Sequence, residues 1–410
     1  MFKIKNNKNK LGFTLVELLV VIAIIGILAT LAIVSIQNTR SKARDTKRIA
    51  DIKQIQTALE LYFNDNGSYP VSTSVTSSIR SASRVYMEMY PQAPNPPDGD
   101  CTESNNQYVY TETGEDNGSY TLFFCLGGTN SGISSGLAVA SPVGVEYGSL
   151  DEDAFNFIQA TGITDITQQL AINTLVNSLK SNSLWTKMKA IYPFVGGTAT
   201  THKFNLKDPR DADSAYRLVF TGGWAHTATG VDPNGSTGYA DTKLVPNTAL
   251  SLNNSGASIY IRQNTVVGTS GLIDCDFGSV NETSTFSKGL HIFVRNGVSD
   301  TLRYRVNTGT VSFLTNSDAR GFYTISRLSS ATSYVYKNGV EFIETAQAST
   351  EMNPYSIIIG AVNSNVGPMY FSNREIAFFA IHDGLTPTEQ ATLNTINTTF
   401  QTALSRNVDY

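Results

Sequence analysis

Glu17 is the residue most out of place in this 410-residue chain. It stands in KLGFTLVELLVVIAIIGILATLAIVSI, residues 10 to 36, where no other charge follows Lys10. A carboxylate in such a run costs on the order of 2.5 to 3.5 kcal/mol at the centre of a bilayer, and less near an end, unless it finds a partner. A second set of chemically useful residues lies in GGWAHTATGVDPNGSTGYADTK, residues 222 to 243. Trp224 and Tyr239 offer faces for a sugar ring, and Asp232, Asn234 and Asp241 offer hydrogen bonds or oxygen ligands for calcium. The alternative is that Trp224 belongs to the core and the rest is a long turn. Asp211 and Asp213 in DPRDADSAY stand open in the same way, between calcium ligands and a solvated turn.

Catalytic patterns are missing from the sequence. The four histidines, His202, His226, His291 and His382, are scattered, with no HExxH pair for zinc. The paired strand carboxylates needed for glycoside hydrolysis, in the E-x-D-x-x-E arrangement of jelly-roll hydrolases, do not occur. The reading is therefore of a protein that is not an enzyme, requires no cofactor and has calcium as its one candidate ion. A net charge of -4 argues against a general nucleic-acid binder. The three cysteines, Cys101, Cys125 and Cys275, lack CxxC spacing and allow at most one intrachain disulfide.

The elements that position these residues begin with the N-terminus. Lys3, Lys5, Lys8 and Lys10 precede the apolar run, as in the basic region of an export signal, but the run is too long for such a signal and lacks an A-x-A-like cleavage site. Leu18 to Ile36 is free of charge and, as a helix, reaches about 28 Å, close to the roughly 30 Å hydrocarbon core of a bilayer. A membrane span is expected. The positive-inside rule leaves its orientation open, because Arg40, Lys42, Arg44, Lys47 and Arg48 follow it. Beyond the span, Ile49, Ile52, Ile55, Leu59 and Tyr62 or Phe63 continue at spacings of three and four, with Lys47, Asp51, Lys53 and Glu60 off the stripe. The helix should end at Asn66-Gly67.

The string Gly12-Phe13-Thr14-Leu15-Val16-Glu17 resembles the processing site of type IV pilins and of the pseudopilins of type II secretion systems. In that family a prepilin peptidase cuts after the glycine, on the cytoplasmic side, and methylates the new N-terminus. The resemblance implies cleavage between Gly12 and Phe13, N-methylation of Phe13, and an assembly role for Glu17 as partner of the α-amino group of a neighbouring subunit. The run LELYFNDNGSYP is similar to the point where pseudopilin and small-pilin helices enter their heads. The calcium site of the major pseudopilins is not transferable: Glu112, Glu115 and Asp116 are acidic, but no matching loop accompanies them.

Residues 68 to 100, Ser-rich and Pro-rich, read as irregular connection. QYVYTET and SYTLFFCLGG form a hairpin. Cys101 and Cys125 bracket it, and in an exported protein a disulfide between them is expected, against the alternative of two buried thiols. Residues 127 to 149 contain one further strand around Leu137 to Ala140 and flexible Gly/Ser sequence, which places a boundary near 145. A helical preface follows, with Asp165 and Gln168 as a capping pair and Ala171, Leu175 and Leu179 as its stripe. From about 200 to 384, short β-prone runs separated by Gly/Asn/Ser turns imply a sandwich or barrel, with Asn338-Gly339 as a hairpin turn. Thr386, Pro387 and Glu389 open a closing helix whose Leu393, Ile396, Phe400 and Leu404 pack back on a sheet. Cys275, among apolar strand residues, reads as a buried thiol.

The SYVYKNGVEF hairpin, the IAFFAIHDGLT strand and the TPTEQ helix resemble the concanavalin A-like (laminin G-like) jelly roll. The stretch from KMKAIYPFVGG to PNGSTGYADT is similar to modules of phage virion and bacterial surface proteins. The expected architecture is an α+β pilin-like domain, a long N-terminal helix with a small antiparallel sheet, followed by an all-β jelly-roll sandwich with flanking helices. Its parts are a leader at 1–12, a transmembrane and assembly helix at 13–66, a head at 67–145, a helical connector at 146–190 and the jelly roll at 191–410. The expected function is a pilin-like filament subunit, minor or tip-located, displaying a lectin-like adhesive domain at the cell surface. The alternative is a secretion pseudopilin whose jelly roll recognises exported substrates, and a weaker one is a surface glycan-processing enzyme. Expected partners are prepilin peptidase, other pilin subunits, the membrane, and a glycan or surface protein. The chain should sit in the cytoplasmic membrane by a single pass before joining an extracellular filament.

Overall fold

The apolar run of the first residues described, the polar stretch from Gln37 to Arg48 and the three- and four-residue apolar spacing from Ile49 all lie on one helix, α1, from Leu15 to Asn66. The computed structural model describes residues 15–408 apart from 72–76, 104, 114–116, 129–134, 143, 266–273, 282–288, 297–299 and 310. Gly67, with φ of 75°, closes the helix by donating its N–H to the Phe63 carbonyl at 2.7 Å. The chain then divides into two compact units, Met1–Ser149 and Leu150–Tyr410.

In the first unit, β1 (Ile79–Arg80) and β2 (Val85–Met87) form a short antiparallel ribbon inside the stretch expected to be irregular. Its anchors are tertiary: Arg84 pairs with Asp65 at 2.8 Å, and the Tyr86 hydroxyl donates to the same carboxylate at 3.0 Å. No local pattern announces such contacts. The main sheet has the order β3 (Val109–Thr113), β4 (Ser119–Leu126), β5 (Gly136–Ser141), β6 (Gly144–Leu150). Alternation along β4 turns Tyr120, Leu122, Phe124 and Leu126 toward Ile52, Ile55 and Leu59 of α1. Each such side chain, fully buried, contributes about 1.5 to 3 kcal/mol. Cys101 and Cys125 are joined by a disulfide, with Cα atoms 5.7 Å apart.

The boundary expected near 145 falls inside β6, so residues 146–150 are strand rather than helical connector. Gly-rich composition suggested flexibility there, but Val145, Glu146 and Tyr147 continue a strand that lies beside the preceding β5. The expected helical connector contains two helices, and both belong to the second unit. They are α2 (Glu152–Thr161), capped by Asp151 and by Gly162 in the left-handed region, and α3 (Ile166–Ser181), whose cap Asp165 accepts from the Gln168 N–H.

Strands then follow in chain order: β7 (Met188–Tyr192), β8 (Val219–Thr221), β9 (Trp224–Thr227), β10 (Gly230–Pro233), β11 (Tyr239–Asp241), β12 (Ser255–Ile261) and β13 (Phe277–Val280). Next come β14 (Gly289–Asn296), β15 (Thr301–Thr308), β16 (Ser312–Thr315), β17 (Gly321–Arg327), β18 (Thr332–Lys337) and β19 (Val340–Ala346). The last are β20 (Ile358–Ile359), β21 (Val362–Ser364), β22 (Gly367–Met369) and β23 (Ile376–His382). They build two sheets. One runs β19-β18-β17-β12-β23-β10-β9, with β7 also on β23, and the other runs β16-β15-β14-β13-β20-β11-β8, with β21 on β13 and β22 on β21. Ile259, Ile325 and Phe379 of the first sheet meet Ile292, Leu302 and Tyr304 of the second in one apolar core, so this unit is an all-β sandwich.

The closing helix is α4 (Pro387–Ala403), with the Thr386–Glu389 capping box formed in both directions. It lies on the outer face of the first sheet, where Phe400 meets the ring of Phe378, and α3 packs beside it.

Candidate functional site

Two places could carry function. In α1, Glu17 lies in the first turn, and its apolar neighbours are open to solvent: Leu15, Leu18, Ile22, Ile25 and Leu28 are each more than half exposed. So large an uncovered apolar surface requires lipid or protein against it. Among the described residues no helix is long and apolar enough to cross a membrane. The expected span includes Leu31, Ala32, Ile33, Val34 and Ser35, whose side chains lie outside the described residues, as do Gly12 and Phe13.

Lower on α1, Arg48 is fully buried. It donates to Asp45 at 2.7 Å, to Asp98 at 2.8 Å and to the Asn106 side chain at 3.0 Å. Asp45 in turn accepts from the backbone N–H groups of Gly127 and Gly128 at 2.7 and 2.8 Å. This knot fastens the helix to two loops beside the disulfide. Gly99 makes the approach possible: it holds φ of +58°, and a Cβ there would sit 1.8 Å from the Gly127 oxygen. Sequence reading passed over Arg48, yet the signal exists, because 45, 48, 52, 55 and 59 continue the apolar stripe at spacings of three and four. A charge on a buried stripe must be paired.

In the sandwich, the five residues of the 222–243 stretch are separated. Trp224 and His226 pair with Pro233 and Val231, and Val231 is core, so strand alternation puts Trp224 on the inner face and Asp232, opposite Ala225, on the outer one. The Trp224 ring packs on the core, and its Nε1 donates to the carbonyls of Thr221 and Tyr239. Tyr239 and Asp241 belong to the other sheet, and Asp241 pairs with Lys243 at 2.8 Å. Asn234 is a turn residue: its Oδ1 accepts from the N–H groups of Ser236, Thr237 and Gly238. Gly222, with φ of +76°, lets this turn close, since a Cβ there would meet the Thr237 oxygen at 2.0 Å. Asp232 is half-buried, and burial together with the nearby Glu375 charge raises its pKa. One ligand therefore cannot touch the Trp224 ring and Asp232 together.

Asp211 is bound by Lys203 and Arg217, and Asp213 by Arg217. Among the described residues no group of three or more His, Cys, Asp or Glu side chains is placed to hold a metal ion. Cys275 is buried, its Sγ directed at the carbonyls of Phe277 and Ile292, and burial pushes its pKa well up. His202 and His226 meet at their Nδ1 atoms, 3.0 Å apart.

Ser258 and His382 form a pair that has the outline of a nucleophile and its base. Nε2 lies 2.8 Å from the serine oxygen, and Nδ1 faces the Asp383 carbonyl at 2.7 Å. Both side chains are fully buried beneath α4, and the serine also bonds Thr324 at 2.8 Å. No substrate atom can reach the hydroxyl. The group ties β12, β17 and β23 together.

Residues 7–33 match the prokaryotic N-terminal methylation motif, and residues 35–136 match type II secretion system protein G. The Escherichia coli type II secretion system core protein G is 32% identical over 122 residues, which cover 77% of that protein and 27% of this chain. The Vibrio cholerae protein of the same description is 32% identical over 126 residues, covering 82% of it and 29% of this chain. This chain belongs to the type II secretion system protein G family. The membership rests on the first unit. The Aeromonas hydrophila member is 41% identical over 61 residues, 43% of its length and 15% of this chain.

Two solved structures are loosely similar to this chain. Domain 4 of the extracellular arabinanase AbnA from Geobacillus stearothermophilus, solved with arabinotriose, is 18% identical with a TM-score of 0.32, covering 50% of this chain and 98% of that one. The binding domain of botulinum neurotoxin serotype D is 11% identical with a TM-score of 0.37, covering 52% and 53%. Likenesses this loose decide no ligand. Pseudopilins of the protein G family are membrane-anchored by the N-terminal helix, and this chain is a pilin-like subunit carrying a β-sandwich.

Proposed function

We propose that this member of the protein G family is a minor or tip subunit of a pilin-like filament and displays its sandwich as a binding module at the cell surface. Prepilin peptidase cuts between Gly12 and Phe13 and methylates Phe13, and the mature helix waits in the cytoplasmic membrane as a single pass. Glu17 then pairs with the new α-amino terminus of a neighbour. The observation that carries this reading is α1 itself, where one helix joins an uncovered apolar half bearing Glu17 to a half sealed into the head. A mis-registered neighbour would leave two charges buried without partners, so the pairing favours one register.

Steric load supports the minor or tip position, because the sandwich unit is larger than the head it follows and hinders dense packing of identical copies. The ligand of the displayed unit is a glycan or a surface protein. A second reading, favoured by the family itself, makes the filament a secretion pseudopilus whose sandwich receives exported substrates.

Glu17→Ala should abolish co-assembly with other pilin-like subunits while the chain still inserts in the membrane, and Gly12→Asp should accumulate as uncleaved precursor. Membrane fractionation, immunoblotting and recovery of sheared filaments read both. Filaments containing Glu17→Ala at wild-type levels would overturn the assembly role. Deleting residues 150–410 separates the two readings: lost surface adhesion with normal secretion supports display, and lost secretion supports the pseudopilus.

A further inference from the structure

The outer face of the nine-stranded sheet carries an arginine that differs from its neighbours. Along β15, Leu302, Tyr304 and Val306 point into the core, so Arg303 points outward. Arg217, Arg262, Arg295, Arg320 and Arg374 of the same unit are each ion-paired. Arg303 has neither an acidic nor a carbonyl partner among the described residues; its guanidinium carbon lies 5.1 Å from the centroid of the Phe313 ring, and its Nε is buried without a hydrogen bond.

Phe313 is directly opposite on β16, which is the edge of that sheet. The residue is 58% exposed. An exposed aromatic ring on an edge strand invites unwanted pairing, so its presence needs a reason. Beside it on the same face are Thr315, exposed, and its cross-strand partner Thr301. The surface therefore offers one flat apolar ring, one uncommitted cation and hydroxyls about 7 Å along the strand.

We propose that Arg303 and Phe313 form a binding site for an acidic saccharide. The ring of Phe313 takes the C–H face of one sugar, the free Nη groups of Arg303 take its carboxylate, and Thr315 reaches a ring hydroxyl. A protein partner fits less well, since a stable protein interface buries about 800 Å² on each side around an apolar centre, whereas Phe313 is a single ring among polar neighbours. A neutral sugar would use the ring and leave the cation idle. This inference rests on the display reading and names the ligand class of the displayed unit.

The test uses the full chain in detergent micelles with oligosaccharides ending in galacturonate, glucuronate or sialate, each beside its methyl ester, which removes only the charge. The expected result is that at least one acid binds tenfold or more tightly than its ester, with affinity falling as salt rises. Arg303→Gln should reduce the acid to the level of the ester, Phe313→Ala should abolish both, and Phe313→Trp should restore binding. Both side chains reach the outer face of the sheet, and unchanged thermal unfolding checks that the variants fold. Equal affinity for acid and ester, or no binding of any acid, overturns the site. Saccharide binding that survives both Arg303→Gln and Phe313→Ala also overturns it, while leaving display itself intact; loss of surface adhesion in the chain lacking residues 150–410 tests display separately.

Discussion

Arg48 lies three residues after Asp45 and four before Ile52, on the face of α1 that enters the head, and both of its acids come from a strongly desolvated setting. Removing one member of such a group strands the others, a loss of roughly 3 to 5 kcal/mol. Arg48→Ala should therefore lower the head's stability by that amount in urea unfolding, and Arg48→Lys should recover only part of it, because a lysine cannot serve Asp45, Asp98 and Asn106 as a planar fork does. The histidines of the sandwich give a prediction of the opposite electrostatic kind. Burial holds His202 and His291 down to about 3 and His382 to about 4, against 6.5 when unfolded. The native state thus refuses protons that the unfolded chain takes up below pH 6.5. The stabilisation is fully present above that pH and is lost as pH falls toward 4, by about 2 kcal/mol per buried histidine at pH 5. Urea midpoints between pH 8 and 5 check this, and His382→Asn should flatten the dependence.

At the scale of elements, local rules and tertiary rules separate cleanly. The C-terminus of α1 at Asn66, the caps at Asp165 and Thr386, and the turn at Asn338-Gly339 all follow from residues within four positions of one another, and each was legible. The ribbon β1–β2 was not, because its anchors on Asp65 are tertiary, and strand β6, which lies beside the preceding β5, was masked by its glycine-rich composition. The same holds for the 222–243 stretch. Its residue types suit a ligand, but register on β10 and membership of two sheets disperse them. The disulfide acts within the first unit: from Cys101 to Cys125 in β4 it closes a loop that contains β3, with a sequence separation of 24. In the chain-entropy account such a loop is worth about 3 kcal/mol. Reduction should lower the melting of the head by that amount and leave the sandwich unmoved, which calorimetry with and without dithiothreitol will show.

For the whole molecule, two compact units with separate cores imply two cooperative transitions rather than one. The first should respond to reduction and to Arg48→Ala, and the second to acid. A single transition shifted by all three treatments would contradict the division. The strings around Gly12, Phe13 and Glu17 and the apolar periodicity of α1 were sufficient, by sequence alone, to assign a pilin-like spine, because cleavage signals and helical faces are written in consecutive residues. Alternating short runs likewise announced a sandwich. Which charges are buried, which aromatic ring is left outside, and which candidate residues share a face were decided only by the tertiary structure. Those properties depend on strand register, where a shift of one residue exchanges the core for the surface.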